Sequence, residues 1–543
     1  MTEKELTSMT FEEVVRFALE RDRAASDAEQ RVELLASELR LMRHKRFGAS
    51  SERFVAGQTS IDFDDEVEAV AEEAAAETVT VTYSRRKPAK KKVRSLDDSD
   101  LEEVFEDAEL PEDRRVCACC GGELHDMGHD CRTTFETVPA RHYKRTVRIH
   151  KYACRACERA GRPQRIVRAD AKPSLLPGSF ASASAVSHIM ADKFVRHIPL
   201  DRQEKSMAYD GVFLSKQTMS NWLVECTESY LAPLYDLMRE DLVSCEVVHA
   251  DETPVKILHP PGYEGKKAKK KKGAGKNKGH TPDSCYMWAY RTAPYYEHRI
   301  AIYDHQPTRS GSCPRAFLAG FKGYLQTDGY DGYNAVPDAV RVGCWAHARR
   351  KFHDALVGLP EKTGDYALAL EGLAKCDDLF DLERKFAGMT PEERHAARLE
   401  ESAPLVEDMR KWAKEKKPET RPKSLVGKAL NYLEGEWPTL TVFLEDGRVE
   451  LSNNAAERSV RPVAVGRKNW LFSNTMGGAK TSATILSIVE TAKINGLNPE
   501  AYLRFLLETV PSSSLSELPS LLPWGSGVPE SVKARERKSA SAS

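Results

Sequence analysis

The sequence predicts a multidomain α/β protein, and three features support this class. Between residues 245 and 350, short β-rich runs alternate with helical patterns, which is typical of a mixed sheet with packed helices. Residues 11–46 and 355–448 carry long helical periodicities. Six cysteines lie between residues 117 and 157. A chain of 543 residues is too long for one core and is expected to form three or four domains.

Composition favours a globular protein of the cytoplasm. Hydrophobic residues make up 41% and charged residues 30% of the chain. No apolar run approaches the length of a membrane span, and the acidic N-terminus lacks the apolar core of a signal peptide. We therefore expect a cytoplasmic location without membrane contact. Twelve cysteines in such a chain do not suggest disulfides.

The net charge of −1 conceals strong segregation of charge. Residues 61–77 and 97–113 are acidic, whereas 85–94 and 266–278 are strongly basic. Basic blocks either form solvated linkers or lie along phosphates, and the sequence leaves both interpretations open. We expect residues 55–110 to form a disordered, charged linker.

The N-terminal segment predicts one long helix with a basic end. Apolar residues recur at alternating steps of three and four, as in a coiled coil; they are Ala25, Ala28, Val32, Leu35, Leu39 and Met42. The alternative is a helix that packs on its own domain. Arg43, Lys45 and Arg46, near the end of this helix, offer contacts for phosphates.

The cysteine cluster predicts a structural zinc site. Cys117 and Cys120 form one C-x₂-C pair, and Cys154 and Cys157 form another after a 33-residue gap. Four thiolates in two such pairs are typical of tetrahedral Zn²⁺. Four further potential ligands leave the set open: Cys119, His125, His129 and Cys131.

Helical patterns at 175–244 include a weak helix-turn-helix signal, in which Gly211 forms the turn and Ser215 opens the second helix. The expected organisation, in chain order, is an N-terminal helix at 1–54, a linker at 55–110, a zinc-binding domain at 111–165, a helical segment at 175–244, an α/β catalytic domain at 245–475, a helical segment at 476–510 and a disordered tail at 511–543.

Two acidic residues follow apolar strands of the predicted sheet. Asp251 closes the run VVHADETP, and Asp328 closes GYLQTDGY. A carboxylate at the end of a central strand is costly to bury unless it is paired or metal-bound. Two carboxylates that meet there repel each other and raise at least one pKa unless a cation lies between them. We therefore expect a Mg²⁺ site.

The third acid we assign is Glu457, one turn into a helix that Asn453 or Asn454 caps. The alternative is that Glu457 only pairs with Arg461, one turn further along. Three other acids compete for a role at the site: Glu252, expected on the opposite face of the strand, Asp331 and Asp304.

Basic residues accompany these acids in the sequence. His347, Arg349, Arg350 and Lys351 follow the strand VRVGCWA, and Arg458, Arg461, Arg467 and Lys468 follow Glu457. They are candidates for binding phosphate groups. A solvated helix face is the alternative for each of them.

Several motifs resemble the DDE transposases of the insertion sequence 66 (IS66) family. They are LRLMRHKRFGASSERF, HADETPVKI, QTDGYDGYN, CWAHARRKF, SNNAAERSVRPVAVGRKNWLFSN and NGLNPEAYLRFLL, together with the cysteine cluster. The resemblance covers most of the chain in order. It implies a ribonuclease-H-like catalytic domain and a catalytic triad at Asp251, Asp328 and Glu457, with a helical insertion at 355–448.

The resemblance also implies an activity and its partners. The enzyme would use two Mg²⁺ or Mn²⁺ ions to nick the ends of a mobile element and transfer them to target DNA. It would act near the bacterial nucleoid as a homodimer or higher oligomer, with accessory proteins of the same element. Two alternatives remain open: a nuclease that cuts without joining, and a zinc-dependent DNA-binding protein with an inactive catalytic domain.

Overall fold

The structure is a computed structural model that describes residues 10–47, 142–152, 167–168, 172–259 and 285–534. The four expected zinc ligands, the linker at 55–110 and the basic run at 266–278 lie outside the described residues. The chain divides into two compact units. The first holds residues 1–63, 173–208 and 213–532, and the second holds 64–172, 209–212 and 533–543. In the second unit, Lys151–Tyr152 (β1) pairs antiparallel with Val167–Arg168 (β2).

A five-stranded mixed sheet forms the centre of the first unit. Its strands are Val247–Val255 (β3), Cys285–Thr292 (β4), Ala301–Gln306 (β5), Tyr324–Gln326 (β6) and Val340–Val342 (β7). They are arranged in the order β5-β4-β3-β6-β7. β4 pairs antiparallel with both β3 and β5, whereas β6 pairs parallel with both β3 and β7. The expected α/β class is confirmed, and β3 is the central strand.

Helices precede this sheet in the chain. They are Ala183–Phe194 (α2), Leu200–Tyr209 (α3), Lys216–Cys226 (α4) and Ala232–Ser244 (α5), with a π-helical turn at Thr227–Leu231. Ser215 caps α4, because its side chain accepts a hydrogen bond from the Thr218 N–H at 3.1 Å. Gly211 has a φ of +77°, a conformation that glycine adopts without strain. The helices and turn of the expected motif are therefore present.

A layer of helices occupies the expected insertion. A short helix, Ser312–Phe317 (α6), lies between β5 and β6; the layer itself consists of Trp345–Gly358 (α7), Gly364–Lys385 (α8), Pro391–Ala397 (α9), Ala403–Lys416 (α10), Leu425–Gly435 (α11) and Trp437–Leu440 (α12). Trp345, Phe352, Leu373 and Leu430 belong to one buried cluster in this layer. Trp345 also donates from its indole N–H to the Leu440 carbonyl at 2.8 Å. This core fixes α7 beside the sheet.

Three helices complete the first unit: Asn454–Trp470 (α13), Met476–Ile494 (α14) and Pro499–Thr509 (α15). α14 covers the outer edge of β5. The Tyr303 N–H donates to Ser487 Oγ at 2.8 Å, and the Ala301 N–H donates to Thr491 Oγ1 at 3.1 Å. These side chains accept hydrogen bonds from backbone N–H groups at the edge of β5, which could otherwise pair with another strand. Residues 175–208, 213–244 and 476–510 thus belong to one compact unit with the sheet and do not form separate units.

The expectation of a disordered tail at 511–543 is wrong for its described part, residues 511–534. Leu518, Leu521 and Leu522 are buried, and the Tyr502 hydroxyl donates to the Leu521 carbonyl at 2.7 Å. A Ser/Pro-rich composition suggested disorder, but these apolar residues bury enough surface to hold the 3₁₀ turn Leu518–Leu521 on α5.

The N-terminal helix, Phe11–Phe47 (α1), packs one face on the helical layer. Ser37 is buried, and Lys45 Nζ lies 2.5 Å from the carboxylate of Asp354 on α7. The opposite face carries the expected heptad residues, with exposures of 66% at Val32, 59% at Leu35, 51% at Leu39 and 64% at Met42. None of the helices in the described part of the chain has the length and hydropathy needed to traverse a lipid bilayer.

Candidate active site at the ends of the central strands

The site begins where β6 ends and stops pairing with β3; β3 itself continues to Val255, so the expectation that Asp251 closes its strand is wrong. In their register, Val248 lies opposite Leu325 and His249 lies opposite Gln326. Asp251 and Asp328 each stand two residues beyond this last pair, so the two carboxylates occupy equivalent positions on neighbouring chain segments. Each is oriented locally: Asp251 Oδ1 accepts from the Glu252 N–H at 2.8 Å, and Asp328 Oδ1 accepts from the Tyr330 N–H at 3.0 Å.

Helix α13 brings Glu457 to the same end of the sheet. Its N-cap residue is Asn453, as expected, but the Asn453 side chain makes no capping bond. Instead, Asn453 Nδ2 donates to the Ala250 carbonyl at 2.9 Å, and Asn453 Oδ1 lies 3.1 Å from His249 Nδ1. Asn453 therefore joins the start of α13 to β3 directly beside Asp251. The sequence pair Asn453–Asn454 carried a capping signal only, and this anchoring role was missed.

The charges of Asp328 and Glu457 both act on the carboxyl group of Asp251. Burial, which is the largest cause, and the nearby charges of Glu252, Asp328 and Glu457 together raise the pKa of Asp251 to about 8, against a backbone hydrogen bond that lowers it. Glu457 Oε1 is also buried and has no hydrogen-bond partner among the described residues.

The rival acids Glu252 and Asp304 occupy the other face of the sheet. Glu252 accepts from Arg309 Nε and from the Tyr333 hydroxyl, each at 2.6 Å. Across the ladder, Glu252 pairs with Trp288 and Trp288 pairs with Asp304, so these three side chains share a face that excludes Asp251. Asp304 therefore stands apart from the three acids of the site.

The remaining rival, Asp331, is exposed on a 3₁₀ turn at Asp331–Ala335. Its charge lies near the Arg341 guanidinium, which donates to the Asp328 carbonyl at 3.0 Å. Asp331 is thus a peripheral group that neighbours the segment carrying Asp328.

Helix α7 contributes two side chains to Glu457. Arg350 Nη2 lies 3.3 Å from Glu457 Oε2, and His347 Nδ1 lies 3.7 Å from Glu457 Oε1. Lys351 is exposed, and its Nζ lies 5.4 Å from the centre of the Tyr432 ring. The Arg350 contact places positive charge beside Glu457, whereas burial lowers the pKa of His347 and favours its neutral form.

The position of Arg349 differs from the one that the sequence predicted. It was expected to contact DNA, but its side chain is buried and its Nε lies 2.5 Å from Asp377 Oδ1 on α8. Successive helical residues are rotated by about 100°, so one of four adjacent polar residues points into the helical layer. Arg349 is a structural residue that joins α7 to α8.

The basic residues of α13 differ in their surroundings. Arg458 and Lys468 are exposed, and Arg461 is half-buried. Arg467 donates to Thr253 Oγ1 at 2.8 Å and to the Pro254 carbonyl at 2.6 Å, so it holds the end of β3 against α13. Arg458 and Lys468 therefore remain available to a phosphate backbone, whereas Arg467 already has partners in the protein.

The donor set fits a hard divalent cation. Mg²⁺ prefers carboxylate oxygens, and a bound cation would offset the burial and the nearby negative charges that raise the pKa of Asp251. The unpartnered oxygen of Glu457 is a further free ligand position. The residues present thus suit a divalent metal.

Comparison with known protein families gives four matches. Residues 178–481, which include all three acids, match the transposase IS66 family. Residues 487–524 match the IS66 C-terminal element, and 114–158 match the zinc-finger binding domain of transposase IS66, which supports a structural zinc ion. Residues 34–104 match a family described as transposase C of IS166 homeodomain.

Three uncharacterized proteins of Sinorhizobium fredii are similar over most of the chain. One, y4hP, is 32% identical over 529 residues, which cover 91% of this chain and 88% of that protein. A second, y4jD, is 33% identical over 77% of this chain and 79% of its own length. A third, y4qI, is 29% identical over 92% and 89%, respectively.

Proposed function

This chain belongs to the IS66 family of transposases, and from that premise we propose that it cleaves the ends of its mobile element and joins them to target DNA. The observation that carries the proposal is the convergence of three acids from distant parts of the chain. Asp251 lies on the central strand β3, Asp328 follows the neighbouring strand β6, and the charges of Asp328 and Glu457 both act on Asp251. These residues are the proposed catalytic triad.

The sheet topology supports a ribonuclease-H-like catalytic domain. Three consecutive antiparallel strands, β3 to β5, are followed by the parallel strands β6 and β7 on the other side of β3. A helix that packs across β3 and β4 then supplies the third acid. The helical layer of α7 to α12 lies between Asp328 and Glu457 as an insertion and explains why these residues are 129 positions apart.

The chemistry follows from the donors at the site. Two Mg²⁺ or Mn²⁺ ions, when bound, stabilise the attacking and leaving oxygens of an in-line phosphodiester displacement. Asp251 and Asp328 would hold these ions from the sheet and Glu457 from α13. Arg350 fixes the Glu457 carboxylate by a 3.3 Å contact. The exposed Lys351, Arg458 and Lys468 are proposed to bind the flanking DNA phosphates.

Assembly on two DNA ends calls for more than one copy of the chain. The exposed apolar seam of α1, formed by Val32, Leu35, Leu39 and Met42, supports pairing with a second copy. The other face of α1 is already packed on α7. We infer a homodimer or higher oligomer, in which accessory proteins of the element would have a place.

The zinc ligands are proposed from the sequence and the family match. Cys117, Cys120, Cys154 and Cys157 lie within the matched zinc-finger segment at residues 114–158. Loss of this ion is expected to unfold the small domain, because the metal supplies its folding free energy.

One experiment separates the proposed activity from its alternatives. Purified protein is given element-end DNA, either intact or pre-nicked, with target DNA and Mg²⁺. The proposal expects nicking of intact ends and transfer of pre-nicked ends to the target, both abolished by a chelator of Mg²⁺. Nicking without transfer would indicate a nuclease, and DNA binding without either reaction would indicate an inactive catalytic domain.

A further inference from the structure

Two buried atoms face each other at the site without a hydrogen bond. His347 Nδ1 and Glu457 Oε1 are 3.7 Å apart, which is too long for a hydrogen bond. Among the described residues, neither atom has any hydrogen-bond partner, and neither is accessible to solvent. Buried polar atoms are rarely left unpartnered, so this pair requires an explanation.

A shared cation explains the separation. Two ligand atoms that each lie about 2.1 Å from one metal ion are separated by roughly 3 to 4 Å, depending on the angle at the metal. The distance of 3.7 Å falls in this range. The charges of Glu457 and Asp328 both act on His347, so the imidazole lies beside two acids of the proposed triad.

The two helices that carry these atoms are fixed to each other. Cys344 is the N-cap residue of α7, and its Sγ lies 3.2 Å from the backbone N–H of Asn453 at the start of α13. The backbone N–H of Trp345 donates to the Leu451 carbonyl at 3.1 Å. His347, in the first turn of α7, and Glu457, in the first turn of α13, are therefore held in place by their backbones.

The Cys344 sulfur is the third donor of this cluster, since all three donor atoms lie within 4.8 Å of one another. We do not count it as a ligand. Thiolate is a soft ligand, and Mg²⁺ and Mn²⁺ prefer harder oxygen and nitrogen donors. The sulfur also accepts the Asn453 N–H, which ties it to the protein.

We propose that His347 is a nitrogen ligand to the divalent cation that Glu457 holds. The inference rests on the proposed function and extends it, because the site then combines an imidazole with carboxylates. Imidazole nitrogen suits transition metals better than Mg²⁺ or Ca²⁺, so the site is expected to bind Mn²⁺ more tightly than Mg²⁺. The expected role of His347 in phosphate contact is replaced by metal binding.

Pulsed electron paramagnetic resonance of the Mn²⁺-loaded, zinc-replete full chain tests the proposal directly. Direct coordination by imidazole gives ¹⁴N modulation in the electron spin echo, which changes to a ¹⁵N pattern when histidine is ¹⁵N-labelled. We expect this signal in the wild type and in the control His353→Gln, which alters another histidine of α7. In His347→Gln the signal should be lost, and Mn²⁺ affinity should fall about tenfold or more.

The labelled wild type keeps the test valid if His347→Gln does not fold. A wild-type protein that binds Mn²⁺ without nitrogen modulation overturns the proposal. So does a signal that persists in a folded His347→Gln variant, because the nitrogen would then come from another histidine. If the wild type binds Mn²⁺ and cleaves DNA but shows no coupling, this inference fails alone. If it binds no Mn²⁺ and does not cleave, the proposed function fails as well.

Discussion

At the scale of single residues, the site depends on buried polar side chains with assigned partners. Asn453 is fully buried and uses both ends of its amide on β3, at Ala250 and His249. Such a residue does not enter the reaction. It sets the distance between the strand that carries Asp251 and the helix that carries Glu457.

Replacing Asn453 by alanine should therefore destabilise the protein and slow catalysis together. The change leaves the Ala250 carbonyl and His249 Nδ1 without partners, at a cost of about 2–4 kcal/mol in the free energy of unfolding. Urea unfolding and Mg²⁺-dependent cleavage measure the two effects. Asn454→Ala is the matched control, since Asn454 Oδ1 has no hydrogen bond in the described structure and its loss should change stability by less than about 0.5 kcal/mol.

Arg349 and Lys351 should separate stability from DNA binding. Arg349→Ala leaves Asp377 as a partly buried, unpaired charge and empties the buried space of the Arg349 side chain, so it should lower the free energy of unfolding by about 3 kcal/mol. Lys351→Ala should leave stability within about 0.5 kcal/mol and weaken binding to DNA of any sequence. Urea unfolding curves measure the two stabilities, and DNA titrations measure the affinities. An Arg349→Ala variant as stable as the wild type would contradict this assignment.

Some residues of the site could be predicted from the sequence, whereas the roles of others could not. Apolar runs that end in a carboxylate singled out Asp251 and Asp328, although β3 continues past Asp251 to Val255. The run from His347 to Lys351 gave no information on which side chain points inward, since that depends on how α7 is rotated against α8. Asn453 looked like a helix cap because capping and strand anchoring require the same side chain.

At the scale of elements, charged side chains join helices that are distant in the chain. His188 on α2 lies 2.8 Å from Glu500 on α15, and Arg196 also donates to Glu500, at 2.5 Å. The hydrogen bond to His188 is the largest influence that lowers the pKa of Glu500 to about 2, and the same bond raises the pKa of His188.

This pairing predicts a pH-dependent contribution to stability. The Glu500 contribution is fully present above its ordinary pKa of 4.5 and is lost as the pH falls towards 2. The His188 contribution is fully present below its ordinary pKa of 6.5 and is lost as the pH rises through its raised value. Glu500→Gln should therefore lower the free energy of unfolding most between pH 4.5 and 6.5, by about 1 kcal/mol for such partly exposed groups.

Urea unfolding at pH 5.5 and pH 8.5 measures this difference. Glu508→Gln, which alters an exposed acid of the same helix, should show little change at either pH. A stability loss for Glu500→Gln that is larger at pH 8.5 than at pH 5.5 would refute the linkage.

At the scale of the whole molecule, α1 presents an apolar seam that the rest of its unit does not cover. Leu35→Glu combined with Leu39→Glu should dissociate the oligomer without unfolding the chain, because both side chains are exposed. Sedimentation velocity measures the change in mass. Leu41→Ala is the control: Leu41 packs against the helical layer, so its loss should lower stability and leave association intact. Unchanged mass in the double variant would show that another surface joins the copies.

Periodicity and composition predicted much of this architecture. The β-rich runs form the strands of the sheet, and the helical patterns form α7 to α13. Both were predictable because the spacing of apolar residues along a strand or helix reflects which side chains are buried. The packing of distant helices onto the sheet could not be predicted in the same way. The packing of α14 on β5 depends on Ser487 and Thr491, whose side chains carry no signal of a strand partner in the sequence. The tail after residue 510 was wrongly expected to be disordered, because its Ser/Pro-rich composition gave no sign that its leucines are buried.

The central claim is that Asp251, Asp328 and Glu457 act as one metal-binding set. Its most direct test compares the rate of Mg²⁺-dependent cleavage of element-end DNA for Asp251→Asn, Asp328→Asn and Glu457→Gln with that for Asp304→Asn, a strand acid on the opposite face. We predict a loss of on the order of a hundredfold to a thousandfold for each of the three and near wild-type cleavage for the control. Full activity in any of the three, or an equal loss in Asp304→Asn, would contradict the account.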